Sequence, residues 1–156
     1  MLRISKLTDY ATVVLATLAE QPQQLRTAAA LAERTGIAAP TVSKLLKQLH
    51  KAGLLASTRG LHGGYQLARP PAQITFAAVV DALEGPVALT DCAAGSGQCG
   101  LEHNCRVSRV WQRLNFAVRR SLSEVTLAEL AGLPAVQPRQ VAAPRPRPAA
   151  EQEIKL

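Results

Sequence analysis

Apolar residues recur at three- and four-residue intervals in three stretches near the start of the chain, residues 6–20, 27–34 and 39–51. This spacing predicts three amphipathic helices, each with one buried face. Ser5 and Thr27 are residue types that cap helix N-termini, and each stands at the start of a predicted helix. The chain is therefore expected to begin with three helices, the second and third joined by a short turn that contains a glycine.

Two short β-prone segments follow, residues 54–58 and 64–68, with a glycine-rich stretch between them. Glycine permits the positive φ angles that tight hairpins need, so the pair predicts a β-hairpin. A fourth helix is predicted over residues 75–83, with Thr75 at its start as the cap, and a long helix begins near Arg106. Residues 85–105, which lie between these two helices, show no periodicity and are expected to form a loop.

The composition fits a helical protein with a core of small aliphatic side chains. Hydrophobic residues make up 47% of the 156 positions but aromatic residues only 3%, so Ala, Leu and Val must fill the core, which favours helices over a β-sandwich. The most apolar run, residues 10–19, is about half the length that spans a bilayer. The N-terminus lacks the pattern of a secretion signal. We therefore expect a cytoplasmic protein without membrane contact, in a compartment where thiols stay reduced.

Positive charge is concentrated in the first part of the chain. The sequence has 18 Lys and Arg residues against 11 Asp and Glu, a formal net charge of +7. Residues 1–70 contain nine of the basic and three of the acidic residues, a net of +6, whereas residues 71–133 have a net of −1 and residues 134–156 of +2. Because nucleic acids are polyanions, a nucleic-acid surface is expected in the first segment.

The order of the helices, the hairpin and the charge is typical of a winged helix–turn–helix, so the predicted fold class is mainly α with a small β-hairpin wing. In this fold the second helix of the pair enters the major groove with its solvent face, and arginine on the wing suits a narrow minor groove. The candidate DNA contacts on this basis are Thr41, Ser43, Lys44, Lys47 and Gln48 on the third helix, and Arg59 and His62 on the wing. The apolar residues of the third helix are expected to pack inward, namely Val42, Leu45, Leu46 and Leu49.

Two other interpretations of this region stay open. One is an ordinary helical core whose lysines are simply solvated, and the other is a winged helix that serves as a protein–protein adaptor. An enzyme is not expected, because the three histidines are scattered and neither a nucleophile–base pair nor a phosphate-cradling loop is evident.

All three cysteines of the chain, Cys92, Cys99 and Cys105, lie in the non-periodic segment. Structural zinc commonly uses four ligands with closely paired cysteines, which this spacing does not supply. A redox disulfide would use only two of the three thiols. An iron–sulfur cluster accepts wider, loop-borne spacing and often a non-cysteine fourth ligand. Chance clustering explains the pattern poorly, because the rest of the chain contains no cysteine.

Four features together resemble the IscR/NsrR group of small iron–sulfur transcriptional regulators. They are the sequence KLTDYA at residues 6–11, the helix pair around Gly36, the wing sequence at residues 59–67, and the three-cysteine loop. The resemblance covers about residues 1–132 and is specific, because the wing and the cysteine loop must coincide. The N-terminal stretch, including the tripeptide at residues 5–7, is most similar to regulators of the Suf cluster-assembly operon.

The resemblance implies a homodimer in which each subunit holds an iron–sulfur cluster on its three cysteines, [2Fe–2S] being favoured over [4Fe–4S]. It further implies a repressor that binds a near-palindromic double-stranded DNA operator, regulates genes of iron–sulfur cluster assembly, and depends on cluster occupancy for its affinity. A repressor of the same fold that senses nitric oxide, redox state or iron is the alternative.

On this interpretation the chain divides into four parts. These are a winged helix–turn–helix DNA-binding domain (1–84), a cysteine-bearing cluster loop (85–105), a dimerisation helix (106–133) and a proline-rich tail expected to be disordered (134–156). The long helix carries an apolar stripe that is an independent reason to expect a buried seam between subunits, namely Val107, Trp111, Leu114 and Val118. Packing of this stripe on its own domain is the alternative.

The fourth cluster ligand is where the sequence departs from the pattern. IscR has a histidine three residues beyond its last cysteine, and Ser108 stands at that position here. Asp9 matches an aspartate that the nitric-oxide-sensing branch donates from the partner's first helix. His103 and Glu102 lie inside the loop and are further candidates. An aspartate in a first helical turn also has an ordinary role, since it stabilises the helix dipole.

Overall fold

The computed structural model describes residues 4–94, 99–100 and 105–134. Its elements in chain order are α1 (Lys6–Ala19), α2 (Ala28–Thr35), α3 (Ala39–Lys51), β1 (Leu55–Thr58), β2 (Gly64–Leu67), a single 3₁₀ turn (Pro71–Gln73), α4 (Phe76–Glu84), α5 (Asp91–Ala94), α6 (Ser108–Glu124) and α7 (Leu127–Leu130). In this part of the chain, none of the helices combines the length and the apolar character needed to cross a bilayer. The predicted disordered tail, apart from Pro134, lies outside the described residues.

Capping side chains set the starts of three helices, as the sequence predicts. Ser5, Thr27 and Thr75 each accept a hydrogen bond from the backbone N–H three residues further on, at 3.2–3.3 Å. These bonds satisfy N–H groups that have no partner inside the helix. Gly36 ends α2 with a φ of 70°, a left-handed conformation that favours glycine. The short turn between α2 and α3 is thereby fixed.

The core is formed where α1 and α3 face each other, with contributions from α2, the wing and α4. The side chains at its centre are fully buried: Val14, Leu15 and Leu18 of α1, and Val42, Leu45, Leu46 and Leu49 of α3. The four positions on α3 are the ones predicted to pack inward. Because these residues occupy one face of α3, its polar side chains are left for the opposite face and the flanks. The predicted fold class, mainly α with a two-stranded wing, is confirmed.

The wing is a two-stranded antiparallel sheet in which Leu55 pairs with Leu67 and Thr58 with Gly64. A third segment extends it, because the backbone of Arg26 exchanges two hydrogen bonds of 2.9 Å with Tyr65. This bridge was not predicted, since it depends on the loop before α2 approaching the wing in three dimensions. A Cβ at Gly64 would lie 2.8 Å from the Arg26 carbonyl oxygen, so the close approach requires glycine there.

The C-terminal part differs from the prediction of one helix over 106–133. Helix α6 ends at Glu124, and after an extended residue Thr126 caps a new helix, α7, in a reciprocal capping box with Glu129. The reason for the break is tertiary, because Leu127 enters the core, where it is 1% exposed, and its N–H bonds the carbonyl of Ile74 at 2.8 Å. The segment predicted as a loop also contains one helical turn, α5.

Helix α6 is attached to α4 by a bidentate ion pair. Arg119 donates to both carboxylate oxygens of Asp81, at 3.2 and 2.8 Å. Both side chains are about one-third exposed, which makes this pair less screened than one in open solvent. Its planar, two-bond geometry fixes the rotation of α6 as well as its distance from α4.

Glu84 joins the end of α4 to the start of α1. Its carboxylate accepts a short hydrogen bond from the Thr8 hydroxyl and a second, of 2.9 Å, from the Ser5 N–H. Hydrogen bonds from these two donors favour the ionised form and hold the pKa of Glu84 below its ordinary value. Folding and ionisation of this exposed carboxyl are therefore linked.

We expect Glu84→Gln to lower the free energy of unfolding at neutral pH more than at acid pH. A carboxyl whose pKa falls on folding stabilises the native state above its unfolded-state pKa and loses that contribution as the pH drops through its folded-state pKa. Urea unfolding at about pH 7 and about pH 3 measures the difference. Glu33→Gln is the control, because Glu33 is exposed and has no hydrogen-bond partner among the described residues. An equal effect of Glu84→Gln at both pH values would contradict the expectation.

Candidate DNA interface and cysteine segment

Three lysines form a line along the solvent face of α3. Lys44 and Lys47 are exposed, as predicted for groove contacts, and Lys51 continues the line although the sequence analysis did not include it. Its position seven residues after Lys44, two helical turns, is the signal that could have identified it. None of the three forms an ion pair with a residue in the described ranges. The line is therefore an uncompensated positive surface.

The other predicted contacts on α3 are half-buried and lie on the flanks of this line: Thr41, Ser43 and Gln48. Gln48 faces α4, where it lines a cavity of about 370 Å³ together with Lys51 and Asp81. Its Oε1 is buried without a hydrogen-bond partner in the described part of the chain. Gln48 and Lys51, the last residue of the lysine line, thus both border the space between α3 and α4.

His50 connects the end of α3 to the wing. Its Nδ1 lies 3.0 Å from the Leu55 carbonyl oxygen and its Nε2 lies 3.1 Å from the Ser57 hydroxyl. The neutral ring with its proton on Nδ1 donates to the carbonyl and accepts from the hydroxyl, so one tautomer satisfies both contacts. The ring also meets the edge of Tyr65 at a centroid distance of 6.3 Å. This link was not predicted, because it depends on a pairing between a helix and a strand.

The wing tip projects its polar side chains into solvent. Arg59 and His62 are both exposed, and Leu61 between them is 95% exposed. Gly60 has a φ of 114°, and a Cβ at Gly63 would lie 2.3 Å from the Thr58 carbonyl oxygen. The glycines are therefore needed for a turn so tight that all three side chains point outward. Arg59 forms no ion pair within the described residues.

The cysteine segment leads directly into α6. Cys99 and Cys105 are half-buried free thiols that form no disulfide. Cys92 belongs to α5, and its side chain is not among those described. Reduced thiols of this kind are the donors that iron–sulfur clusters use, so the donor chemistry of the segment fits such a group.

The other candidate ligands are placed as follows. His103 and Glu102 lie outside the described residues. Ser108, at the position of the IscR histidine, is buried, and its N–H bonds the Cys105 carbonyl at 3.4 Å. In the described residues, which leave out the side chain of Cys92, no three His, Cys, Asp or Glu side chains come together as a metal site.

Asp9 lies on the exposed side of α1, at an apolar groove of about 760 Å³. Ile4, Phe76 and Leu130 from three different parts of the chain supply most of its apolar lining. No cysteine is found among its described lining residues. Among the described residues of one chain, Asp9 and the thiols therefore do not form a cluster.

Helix α6 buries two polar side chains against its own chain and leaves much of its apolar surface exposed. Ser108 and Asn115 are buried, each 8% exposed. Of the predicted apolar stripe, Val107, Trp111 and Leu114 are 54%, 38% and 44% exposed, and Val118 is half-buried. Packing on the same chain, the alternative left open for the stripe, covers part of each of these side chains and leaves the rest exposed.

A family model described as Rrf2, an iron-dependent transcriptional regulator, matches residues 4–132 of the chain. The chain belongs to the Rrf2 family. Curated Rrf2 relatives include protein rrf2 of Nitratidesulfovibrio vulgaris, which is 34% identical over 83% of this chain and 87% of its own length. The regulator IscR of Vibrio cholerae is 32% identical over 83% of this chain and 75% of its own length.

Solved structures agree with this Rrf2 assignment. CymR, the global cysteine regulator of Bacillus subtilis, superposes with a TM-score of 0.65 at 27% identity, covering 85% of this chain and 98% of CymR. IscR of T. potens superposes with a TM-score of 0.62 at 27% identity, covering 84% of this chain and 87% of that one. The predicted resemblance to the IscR group is thereby confirmed. The protein is an Rrf2-family transcriptional regulator with a DNA-binding winged-helix fold, and its relatives are regulators, not enzymes.

Proposed function

We propose that this Rrf2 chain acts as a homodimeric, cytoplasmic repressor of iron–sulfur assembly genes of the Suf type, with an operator affinity that depends on a cluster held by Cys92, Cys99 and Cys105. The observation that carries the proposal is the continuity between the thiols and α6. Cys105 precedes the first residue of α6 by three positions, and the Cys105 carbonyl accepts the N–H of Ser108. Any ordering of the cysteine segment acts directly on this helix.

The exposed stripe of α6 supports the homodimer. Three large apolar side chains, Val107, Trp111 and Leu114, face outward on one helix, and such a contiguous surface is characteristic of an interface. The apolar groove beside Asp9 offers a matching surface on the second copy. If α6 of one subunit covers this groove of the other, Asp9 comes to the cysteine segment of the partner, as the resemblance implies.

The three thiols supply all but one of the ligands that an iron–sulfur cluster needs. When bound, such a cluster would supply a centre that responds to iron, oxidants or nitric oxide. We propose [2Fe–2S], with Asp9 of the second subunit or His103 as the fourth ligand. Resonance Raman spectra of the reconstituted protein, compared with Asp9→Ala and His103→Ala, decide between these two ligands.

The lysine line of α3 and the wing tip would hold the operator. Lys44, Lys47 and Lys51 are free to contact phosphates, and Thr41 and Ser43 beside them are short enough to approach base edges. Arg59 and His62 at the wing tip would reach the adjacent minor groove.

We expect loaded and metal-free protein to differ in operator affinity by about tenfold or more, within the usual range of coupling energies. Anaerobically purified protein should be brown, and Cys92→Ala, Cys99→Ala or Cys105→Ala should each abolish the visible absorption and reduce operator affinity to the metal-free level. Ser108→Ala, which removes a neighbouring hydroxyl but no thiol, is the matched control. Equal binding of both forms at matched salt would contradict dependence on the cluster.

Arg59→Ala is expected to weaken specific operator binding by about 1–3 kcal/mol, since an arginine that reads a groove contributes about this much. Arg69→Ala is the matched control, because Arg69 is also exposed in the same domain but lies beyond the other end of β2. Titration of a labelled operator and of a scrambled duplex at one salt concentration measures the specific and the non-specific affinity of each variant. An unchanged affinity would remove the wing tip from the interface, and binding that ignores sequence would favour the protein–protein adaptor.

Leu114→Glu is expected to convert the dimer into a monomer, because it places a charge in the apolar seam. Phe116→Glu is a demanding control, because Phe116 is 67% exposed, more than Leu114, but lies on another side of α6. Sedimentation equilibrium measures the oligomeric state of both variants. A dimer in Leu114→Glu, or a monomer in Phe116→Glu, would place the seam elsewhere.

A further inference from the structure

Asn115 is a buried polar residue in the middle of α6 that no function described so far explains. It is 8% exposed, and both the oxygen and the nitrogen of its amide form hydrogen bonds. Its Oδ1 accepts a hydrogen bond from the Leu89 N–H at 3.2 Å, and its Nδ2 donates to the Ala93 carbonyl at 3.5 Å. Asparagine has a low intrinsic helix propensity, and burying its amide is unfavourable unless such partners are present. These two contacts therefore account for its presence at this position.

The two contacts of Asn115 enclose the segment that carries Cys92. Leu89 precedes α5 and Ala93 lies within it, immediately after Cys92. Helix α5 has only four residues, and a helix this short is not stable by itself in water. Its position must be set by what it packs against, and among the described residues α6 supplies two side-chain bonds to this segment.

Helix α6 thus meets both ends of the cysteine segment and the DNA-binding domain. The backbone N–H of Ser108, its first residue, bonds the Cys105 carbonyl three residues earlier, and the side chain of Asn115, two turns later, bonds the segment around Cys92. One further turn along, Arg119 holds Asp81 of α4. The same helix therefore fixes the spacing between two cysteine backbones and the attachment to the domain that carries the recognition helix.

We propose that Asn115 is a positioning residue, which anchors the Cys92 end of the cysteine segment on α6 and thereby couples the order of that segment to the placement of the helix. This inference rests on the proposed function for its biological meaning, but the anchor itself is a property of the metal-free chain. Breaking it should free the Cys92 end of the segment while the Cys105 end, held at Ser108, stays in place.

The test compares Asn115→Ala with Arg119→Ala in reduced, metal-free, full-length protein. Arg119→Ala removes the ion pair to Asp81 one turn away but leaves the two hydrogen bonds of Asn115 in place. It is therefore the control for a weaker attachment of α6 as a whole. Amide hydrogen exchange is followed by NMR at Leu89, whose N–H bonds Asn115, and at Ala94 of α5, with Trp111 in α6 as the internal reference. Asn115→Ala should raise the exchange rates of the Leu89 and Ala94 amides relative to Trp111 by about tenfold, the effect of one or two lost buried hydrogen bonds on a local opening equilibrium. Arg119→Ala should leave this ratio close to that of the unmodified chain.

An unchanged ratio in Asn115→Ala, or the same rise in Arg119→Ala, would overturn the proposal. A second measurement needs no variant: the Leu89 amide should exchange slowly with solvent in the unmodified protein although it lies outside every helix and strand, and fast exchange there would also overturn the anchor. If reconstitution gives no visible absorption, the cluster proposal fails, but the exchange results still decide the role of Asn115.

Discussion

Helix α6 is held to its own chain by polar side chains, and this polar attachment determines which of its faces remains available. The bidentate pair of Arg119 with Asp81 and the two-ended contact of Asn115 are directional, so they fix the rotation of the helix about its axis. That rotation leaves Trp111 and Leu114 partly exposed, at 38% and 44%. An apolar attachment would have buried the stripe that the proposed dimer requires. A single helix can therefore serve the cysteine segment, the DNA-binding domain and a second subunit on different sides.

Much of the fold could be predicted from the sequence because it depends on local chemistry. Ser5, Thr27 and Thr75 cap their helices through bonds to residues three positions away, and the inward face of α3 follows from its spacing. The features that could not be predicted depend on distant partners. The strand-like pairing of Arg26 with the wing and the break that sends Leu127 into the core are set by segments far apart in sequence.

The candidate site divides in the same way. Lysines at helical spacing, a glycine-rich wing and three clustered cysteines are visible in the sequence, because each is a short-range pattern. His50 and Asn115 were missed because their importance comes from the strand and loop that they contact. Gln48 is half-buried beside α4 whereas Lys44 and Lys47 are exposed, a difference that depends on where α4 packs. The fourth cluster ligand depends on subunit arrangement, which a single chain's pattern does not encode.

The ring of His50 has a consequence for how an operator can be released. By joining the last turn of α3 to β1, it connects the helix and the wing that would hold the proposed major-groove and minor-groove contacts of one subunit. In the proposed dimer, distortion of the cysteine segment would then act less on the fit of one subunit to its half-site than on the distance and angle between the two subunits. Operators would thus be distinguished by the length of their central spacer as much as by the bases at either end.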